Sequence, residues 1–440
     1  MSHASPVTAA LLVLALLCGC EVTLYEFRDI DEPACEKAGV ARECLCPDDS
    51  WSVAACYGPD DSGPCDCVGA PPGGGLLQIA VGGAHACAVL DDGRMTCWGA
   101  NPDGQLGDGT HTNHRAPIDV PDVADVVSLA LGGGTQSGHS CALSGNGRTR
   151  CWGLNDQGQL GDGTTQARAK PVTLSPQDLR VIAAGVSHTC AAKRAGHVWC
   201  WGRDEAFGDE PSLATAHCGE SPTEVPGIDD VVGLALGALH TCGLTGAGDA
   251  LCWGEGADGQ LGNGSDARRS TPRAVVGLPP TRQIVAGYAH GCALDRDGSV
   301  WCWGANEHGQ LGTGDGRASR NKPAHVPRLP NVAAVAAGWR HTCALTTGGR
   351  VFCWGANEVG QLGDGTTDGR QAPTAVDGLE AVAQIAAGVA TTCARTRDER
   401  LYCWGDNHAG QLGDGTDHDR HTPTAVRWQL ADVDADAGSE

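Results

Sequence analysis

The cysteines carry the clearest chemical pattern in this sequence, because fourteen of the 23 form seven pairs whose members are ten residues apart. A Gly-containing turn separates the two members, as in Asp91-Asp92-Gly93, so the members should face each other across an antiparallel hairpin. Directly opposed Cα atoms lie about 4.5–5.5 Å apart, which is within disulfide reach. We therefore predict seven disulfides, with reduced buried thiols as the alternative. The pairs are Cys87–Cys97, Cys141–Cys151, Cys190–Cys200, Cys242–Cys252, Cys292–Cys302, Cys343–Cys353 and Cys393–Cys403.

A histidine precedes the first cysteine of most pairs by two residues. A ring of imidazoles suggests a metal site, but equivalent atoms of separate repeats should be held apart. We expect each histidine to form a hydrogen bond within its own repeat and to hold a turn, and we assign no metal and no cofactor. The residues are His85, His139, His188, His240, His290 and His341, with Thr391 in the seventh unit.

Four acidic Gly-rich loops raise a second possible metal, since calcium prefers clustered oxygen ligands. Each loop reads Gly-Asp-Gly-Thr, with one Asp and no bidentate Glu at a suitable spacing, so turn formation is the preferred interpretation. The loops are residues 107–110, 161–164, 363–366 and 413–416.

The N-terminus predicts export. Ala9 to Leu17 form an apolar run that is too short to span a bilayer but typical of a signal peptide. The run ends in Leu17-Cys18-Gly19-Cys20, which resembles a bacterial lipoprotein box. By that resemblance residues 1–19 are removed, Cys20 is lipidated, and the protein is anchored in the bacterial cell envelope, facing the periplasm or the exterior. An ordinary cleaved signal peptide is the alternative.

Six more cysteines lie in residues 20–70, where the spacing C-x8-C-x-C occurs twice. So short a segment cannot bury a sufficient core, so disulfides should stabilise it, although six cysteines allow 15 pairings. A zinc site is the alternative. Residues 71–75 read as a Pro/Gly linker. The six are Cys35, Cys44, Cys46, Cys56, Cys65 and Cys67.

The elements that position the cysteine pairs form a repeat of about 50 residues that starts at Leu76. Each second cysteine begins Cys-Trp-Gly, and six units then read Gly-Gln-Leu-Gly, as at 309–312. Together with the Trp-Gly-x-Asn before it, this pattern resembles the regulator-of-chromosome-condensation repeat, whose family forms seven-bladed propellers. The resemblance implies an all-β fold with seven four-stranded blades over residues 76–428. The wedge behind the founding member's nucleotide-exchange activity has no counterpart here, so we do not expect that activity.

The last strand of each predicted blade has the pattern Pro-x-x-Val, with the proline expected at the first strand position, where it forfeits no ladder bond. The seventh such segment, Pro423 to Val426, follows the last Cys-Trp-Gly. We expect it to join the sheet of the first unit and to close the ring. Residues 429–440 are predicted to form an acidic disordered tail.

Composition narrows the range of functions. The net charge of −23 disfavours binding to nucleic acid or to an anionic lipid surface, so contact with the membrane is expected through the lipid anchor alone. Abundant cysteine fits an oxidising compartment. No nucleophile elbow, phosphate loop or His-Glu-x-x-His motif is present.

The positions where the repeat is broken are the candidate binding residues. Tyr288, Trp339 and Arg340 occupy short loops that hold small or aliphatic residues in other units, and such side chains anchor protein interfaces. Alternatively, the aromatic rings cover a local gap. Unit three lacks Gly-Gln-Leu-Gly and carries the unpaired Cys218. We predict a monomeric scaffold that binds an unknown protein through one loop face; an exported hydrolase or lyase acting on cell-wall or extracellular polymer is the alternative.

Overall fold

The structure is a computed structural model, and it describes residues 41–45, 51–55, 76–175, 178–203 and 219–427. The chain divides into two compact units, Met1–Pro71 and Pro72–Glu440. In the first unit, strands β1 (Ala41–Leu45) and β2 (Trp51–Ala55) pair antiparallel, with Ala41 opposite Ala55. The cysteine pairing in this unit lies outside the described residues and stays a prediction.

Seven four-stranded antiparallel sheets follow one another along the second unit, and each sheet is built from four consecutive strands. This confirms the predicted all-β, seven-bladed propeller. Blade 1 consists of β3 (Leu76–Val81), β4 (His85–Leu90), β5 (Met95–Gly99) and β6 (His114–Asp119), and blade 2 of β7 (Val126–Gly133), β8 (Gly138–Ser144), β9 (Thr149–Gly153) and β10 (Arg168–Thr173). Blade 3 consists of β11 (Leu179–Ala184), β12 (His188–Lys193), β13 (Val198–Gly202) and β14 (Thr223–Glu224). Blade 4 consists of β15 (Val231–Leu236), β16 (His240–Thr245), β17 (Ala250–Gly254) and β18 (Arg269–Ala274).

Blades 5 to 7 repeat the same order of strands. Blade 5 consists of β19 (Thr281–Ala286), β20 (His290–Asp295), β21 (Val300–Ala305) and β22 (Ser319–His325). Blade 6 consists of β23 (Val332–Ala337), β24 (His341–Thr346), β25 (Val351–Gly355) and β26 (Arg370–Ala375). Blade 7 consists of β27 (Val382–Ala387), β28 (Thr391–Thr396), β29 (Leu401–Gly405) and β30 (Arg420–Ala425).

The paired cysteines occupy the middle two strands of each blade and lie directly opposite each other, as Cys343 lies opposite Cys353. In all seven pairs the Cα atoms are 4.1 Å apart and the sulfurs are bonded. Neighbouring residues of a strand point to opposite faces. The disulfide of one blade therefore faces the following blade, while the Trp after its second cysteine faces the preceding blade.

This alternation builds the core between blades rather than within them. The Cys343–Cys353 disulfide packs with Trp404 of the following blade, and Leu362 and Ile385 complete the cluster. Six further clusters repeat this contact around the ring. The Trp side chains of the seven Cys-Trp-Gly segments are fully buried. Large aromatic groups contribute strongly to core stability.

The prediction about the prolines of the last strands was wrong in its details. Pro272 is the fourth residue of β18, not the first. The register between β17 and β18 shifts between Cys252 and Gly254, which pair with Arg273 and Arg269. The proline thus sits in a bulge of an edge strand, where it loses no ladder hydrogen bond.

The predicted closure was also wrong. Strand β30 pairs with β29 of its own blade, not with the sheet of the first blade. Hydrogen bonds between blades 7 and 1 close the ring instead: the Gln384 amide accepts from the Ile79 N–H and donates to the Ile79 carbonyl, both at 3.2 Å, and the Gly415 N–H donates to the Arg115 carbonyl at 2.9 Å. Trp98 Nε1 also donates to the Gln411 carbonyl at 3.0 Å. Local hairpin pairing kept the last strand in its own blade.

The substitution Gln384→Leu should weaken this closure, because it leaves the N–H and the carbonyl of Ile79 without their partner. We expect it to cost about 1–3 kcal/mol of unfolding free energy, measured by urea titration, and to speed hydrogen exchange at the Ile79 amide. Gln371→Leu, at an exposed position of β26, is the matched control. Equal stability of the two variants would show that the Gln384 contact does not hold the ring closed.

Candidate functional site

The turns that join the first and second strands of each blade meet at one end of the ring axis. We call them the axial turns: residues 82–84, 134–137, 185–187, 237–239, 287–289, 338–340 and 388–390. They surround a shallow cavity of about 110 Å³ whose lining includes Gly82, Gly185, Val186, Tyr288 and Trp339. Most of the lining is glycine, alanine or branched aliphatic, and no carboxylate belongs to it among the described residues.

Close approach of neighbouring turns explains why these positions are small. A Cβ atom at Gly388 would meet the carbonyl oxygen of Gly82, and one at Gly185 would lie 2.5 Å from the carbonyl of Gly237. Backbone hydrogen bonds also run from blade to blade here, such as the Tyr288 N–H to the Trp339 carbonyl at 3.1 Å. The floor of the axial face is therefore rigid backbone.

Tyr288 and Trp339 are the large side chains of these turns, and they contact each other. Their ring centroids are 4.9 Å apart with an interplanar angle of 62°, an edge-to-face arrangement. Tyr288 is 42% exposed, whereas most other large apolar side chains of the described residues are buried. Arg340 beside them is exposed. Two of the three predicted binding residues, Tyr288 and Trp339, thus meet at the axial cavity, and Arg340 follows Trp339 in the same turn.

The imidazoles of five of the six histidines bond to the next blade, so the prediction of a bond within the same blade was wrong. Each of these bonds joins Nε2 to a hydroxyl group of the next blade, as between His290 and Thr342 at 3.0 Å. That hydroxyl in turn donates to the Gln310 carbonyl at 2.9 Å. Since the hydroxyl proton is used on the carbonyl, His290 must donate the hydrogen of its Nε2 to Thr342. The other pairs are His85–Ser140, His139–Thr189, His188–Thr241 and His341–Thr392.

Two positions lack this link. Next to His240 the hydroxyl position is Gly291, and neither ring nitrogen of His240 has a hydrogen-bond partner among the described residues. In blade 7, Thr391 stands at the histidine position, and in blade 1 Ala86 stands at the hydroxyl position. The Thr391 hydroxyl donates to the Asp406 carbonyl of its own blade at 3.1 Å. Around the rest of the ring, the histidines bind successive blades together.

Burial controls the protonation of these histidines. Desolvation lowers the pKa of His341 and of His139 from 6.5 to about 4. Desolvation, with a smaller effect of neighbouring imidazoles, lowers the pKa of His290 and of His85 to about 3. The ring is therefore uncharged at neutral pH.

The Gly-Gln-Leu-Gly segments serve the same interface. The Gln carbonyl of one blade accepts the indole N–H of the next, as in Trp354 Nε1 to Gln310 at 2.9 Å. The following leucine, Leu311, is buried in the core between the blades. Trp253, after the divergent unit three, has no such partner among the described residues.

The Gly-Asp-Gly-Thr loops are self-contained turns. Asp364 accepts hydrogen bonds from the backbone and hydroxyl of Thr366 at 3.0 and 2.7 Å. Arg370 lies 2.7 Å from the same carboxylate. Although burial alone would raise the pKa of Asp364, the Thr366 and Arg370 bonds lower it. Within the part of the chain described, no group of three or more His, Cys, Asp or Glu residues is placed to hold a metal ion.

A second feature of the axial face is acidic and was missed from the sequence. Immediately after each Cys-Trp-Gly, a segment begins whose first residue bonds to an axial turn, as the Ala305 N–H does to the Ala289 carbonyl at 2.8 Å. In six units the first four residues of this segment hold seven carboxylates, two in unit four and one in each of the others, and no Lys or Arg. We call them the acidic rim: Asp103, Asp156, Glu255, Asp258, Glu307, Glu358 and Asp406.

Members of the acidic rim are close enough to affect one another. Burial and the charges of Glu307 and Glu255 raise the pKa of Asp258. Burial raises the pKa of Asp103 as well, with a further contribution from Asp156. The periodicity of the acidic positions was visible in the sequence, but their convergence on the axis depends on the ring.

The remaining predicted sites, Cys20, the cysteines between Cys35 and Cys67, and Cys218, lie outside the described side chains. No helix long and apolar enough to cross a bilayer occurs in the described ranges.

Seven blades with interlocking Trp and disulfide contacts define a repeat-propeller scaffold. A family model described as an RCC1-like domain matches residues 137–440, and two models of the regulator of chromosome condensation (RCC1) repeat match residues 77–105 and 92–143. The chain therefore belongs to the RCC1-repeat family. RCC1-like propellers are protein-binding or regulatory domains.

Known proteins show the extent of the similarity. The ultraviolet-B receptor UVR8 of Arabidopsis thaliana is 30% identical over 316 residues, which cover 68% of this chain and 69% of UVR8. The human E3 ubiquitin-protein ligase HERC2 is 31% identical over 67% of this chain, but the match spans 5% of that protein. The crystal structure of Prp20p from Saccharomyces cerevisiae, reported with its binding to Gsp1p and histones, superposes with a TM-score of 0.67 at 23% identity, covering 81% of this chain and 88% of Prp20p. That likeness shows a common fold.

Proposed function

We propose that this chain is an exported propeller scaffold, held at a membrane by a lipid on Cys20, that binds another protein through its axial face. The observation that carries the proposal is the exposed Tyr288 ring packed on the half-buried Trp339 ring at the axial cavity, where most other blades carry small or aliphatic residues. Exposed aromatic groups with an adjacent arginine are the usual anchors of protein interfaces.

The physical character of the face supports binding over catalysis. Blade-to-blade backbone hydrogen bonds fix the axial turns, so little conformational entropy is lost when a partner docks. The described lining of the axial cavity offers backbone groups, aliphatic side chains, one phenol and one indole, and the carboxylates of the acidic rim are not part of it, so it holds no carboxylate pair for general acid and base roles. This favours the scaffold over the hydrolase or lyase alternative.

The paired cysteines support the export part of the proposal. Seven disulfides would persist in an oxidising compartment and be at risk in a reducing one. The short apolar run before Cys20 supplies the export signal and the lipidation site by its resemblance to a lipoprotein box. We therefore place the propeller in the bacterial cell envelope, as a monomer with one lipid anchor.

Photo-crosslinking tests the face directly. Tyr288 and Val276 are the two exposed large hydrophobic residues of the described chain, at 42% and 46%, and Val276 lies outside the axial turns. With the full chain expressed in its own host, benzoylphenylalanine at position 288 should trap one dominant protein partner, and the same group at 276 should not. No adduct from 288, or the same adducts from both positions, would contradict the proposal.

A further inference from the structure

We propose that the partner enters the axial face with a basic segment, in which Lys or Arg side chains meet the acidic rim and an apolar side chain packs on Tyr288 and Trp339. This inference rests on the proposed function and specifies its partner. A peptide segment of a protein is the occupant to which the geometry points.

The charge distribution gives the first argument. Each rim segment starts one hydrogen bond away from an axial turn, from Ala100 bonded to Ala84 at 2.8 Å to Asp406 bonded to Ala390 at 2.9 Å. The carboxylates therefore surround the turns that form the cavity. Six of the seven segments contain no Lys or Arg; the segment of unit three begins with Arg203, and Arg340 lies in an axial turn. A cation bound there relieves repulsion between neighbouring carboxylates.

The turns that join the second and third strands, at the opposite end of the blades, differ from the axial face. They carry charges of both signs, and some of these form ion pairs. Arg94 lies 2.6 Å from Asp92, and Arg400 lies 3.2 Å from Asp398. An approaching basic segment is thus attracted to the rim more than to these turns, and complementary charge of this kind increases both association rate and specificity.

The axial cavity gives the second, independent argument. Its volume of about 110 Å³ is below that of pockets that enclose a whole small ligand, so it suits the end of one side chain, and its walls are apolar carbon and backbone. Aromatic faces at its mouth also accept guanidinium or ammonium groups by cation–π contact. A rim of negative charge around an aromatic centre fits a segment that combines basic and apolar side chains, and it repels nucleic acid.

The test uses the full-length chain in detergent and two fluorescently labelled peptides. Both peptides have leucine at the same positions, and one has Arg where the other has Glu at the charged positions. The rim variant is Glu255→Gln, Asp258→Asn, Glu307→Gln. The matched control removes the same charge from exposed acids at the opposite ends of the strands: Asp297→Asn, Asp377→Asn, Glu380→Gln. Affinity is measured by fluorescence anisotropy at about 50 and about 300 mM NaCl, since salt screens exposed charges.

We expect the Arg peptide to bind the wild type and the control within about twofold of each other, and to bind the rim variant about tenfold more weakly, as three exposed ion pairs would allow. Tyr288→Ala with Trp339→Ala should weaken the same peptide. Equal loss in control and rim variants, or equal binding of the Glu peptide, would overturn the inference. The two tests can fail separately. If the rim variants showed no specific effect but crosslinks from position 288 still trapped a partner, the proposed function would stand without the basic segment. If the crosslinks failed while the rim variant still bound the Arg peptide more weakly, the proposed function alone would be contradicted.

Discussion

The stability of the propeller should fall steeply as the pH drops below about 6.5, because protons would have to enter the buried histidine ring. Imidazoles titrate near 6.5 in the unfolded chain, whereas burial lowers the pKa of His341 to about 4 and of His290 to about 3. Between these values the unfolded state binds more protons, so stability is full above pH 6.5 and is lost progressively toward pH 3–4. Each imidazole should contribute on the order of 2 kcal/mol of this loss at pH 5.

Urea titrations from pH 7.5 to about 5 measure this effect, with the slope giving the number of protons taken up on unfolding. The variant His341→Gln should lower that slope by about one proton in this range. His421→Gln, at an exposed position of β30, is the control and should leave the slope unchanged. A flat stability profile, or equal slopes for wild type and His341→Gln, would show that the ring is not protonated on unfolding.

Replacing one disulfide should cause the second-largest loss of unfolding free energy that we predict, after the loss at low pH. The double variant Cys343→Ala, Cys353→Ala opens a loop of ten residues and leaves a gap against Trp404. We expect a loss of about 2–4 kcal/mol, from the greater freedom of the unfolded chain and the lost packing. Thermal unfolding of the purified chain without reductant measures it.

The control for this prediction uses the burial of the sulfurs. All fourteen paired cysteines have no solvent exposure, so reductant should reach them only when a blade opens. Addition of dithiothreitol should therefore act slowly on the native wild type and faster as urea is raised toward the unfolding midpoint. If reductant left the midpoint unchanged after long incubation, the disulfides would not be stabilising the fold.

The sequence was sufficient for features that repeat within one unit. The ten-residue spacing, the turns and Cys-Trp-Gly predict local hairpins, and local contacts determine blade number and register. Tyr288 and Trp339 were also predicted to share one face, because equivalent positions of neighbouring blades superpose.

Contacts between units were harder to predict. His290 was assigned to its own blade, although Thr342, one residue after the next histidine, was a visible signal for a bond across the interface. The error about ring closure has the same origin, since Pro423 to Val426 satisfies its own blade and Gln384 closes the ring. Neither contact follows from periodicity, because both depend on the angle between successive sheets. The acidic rim was missed for that reason too.

Non-reducing peptide mapping of the chain recovered from its host membrane tests the account most directly. It predicts seven disulfide-linked peptides, each joining two cysteines ten residues apart, and a lipid-modified N-terminal peptide that starts at Cys20. Free thiols at these positions, or links between different blades, would contradict the assignment of the propeller to an oxidising compartment and the pairing of its strands.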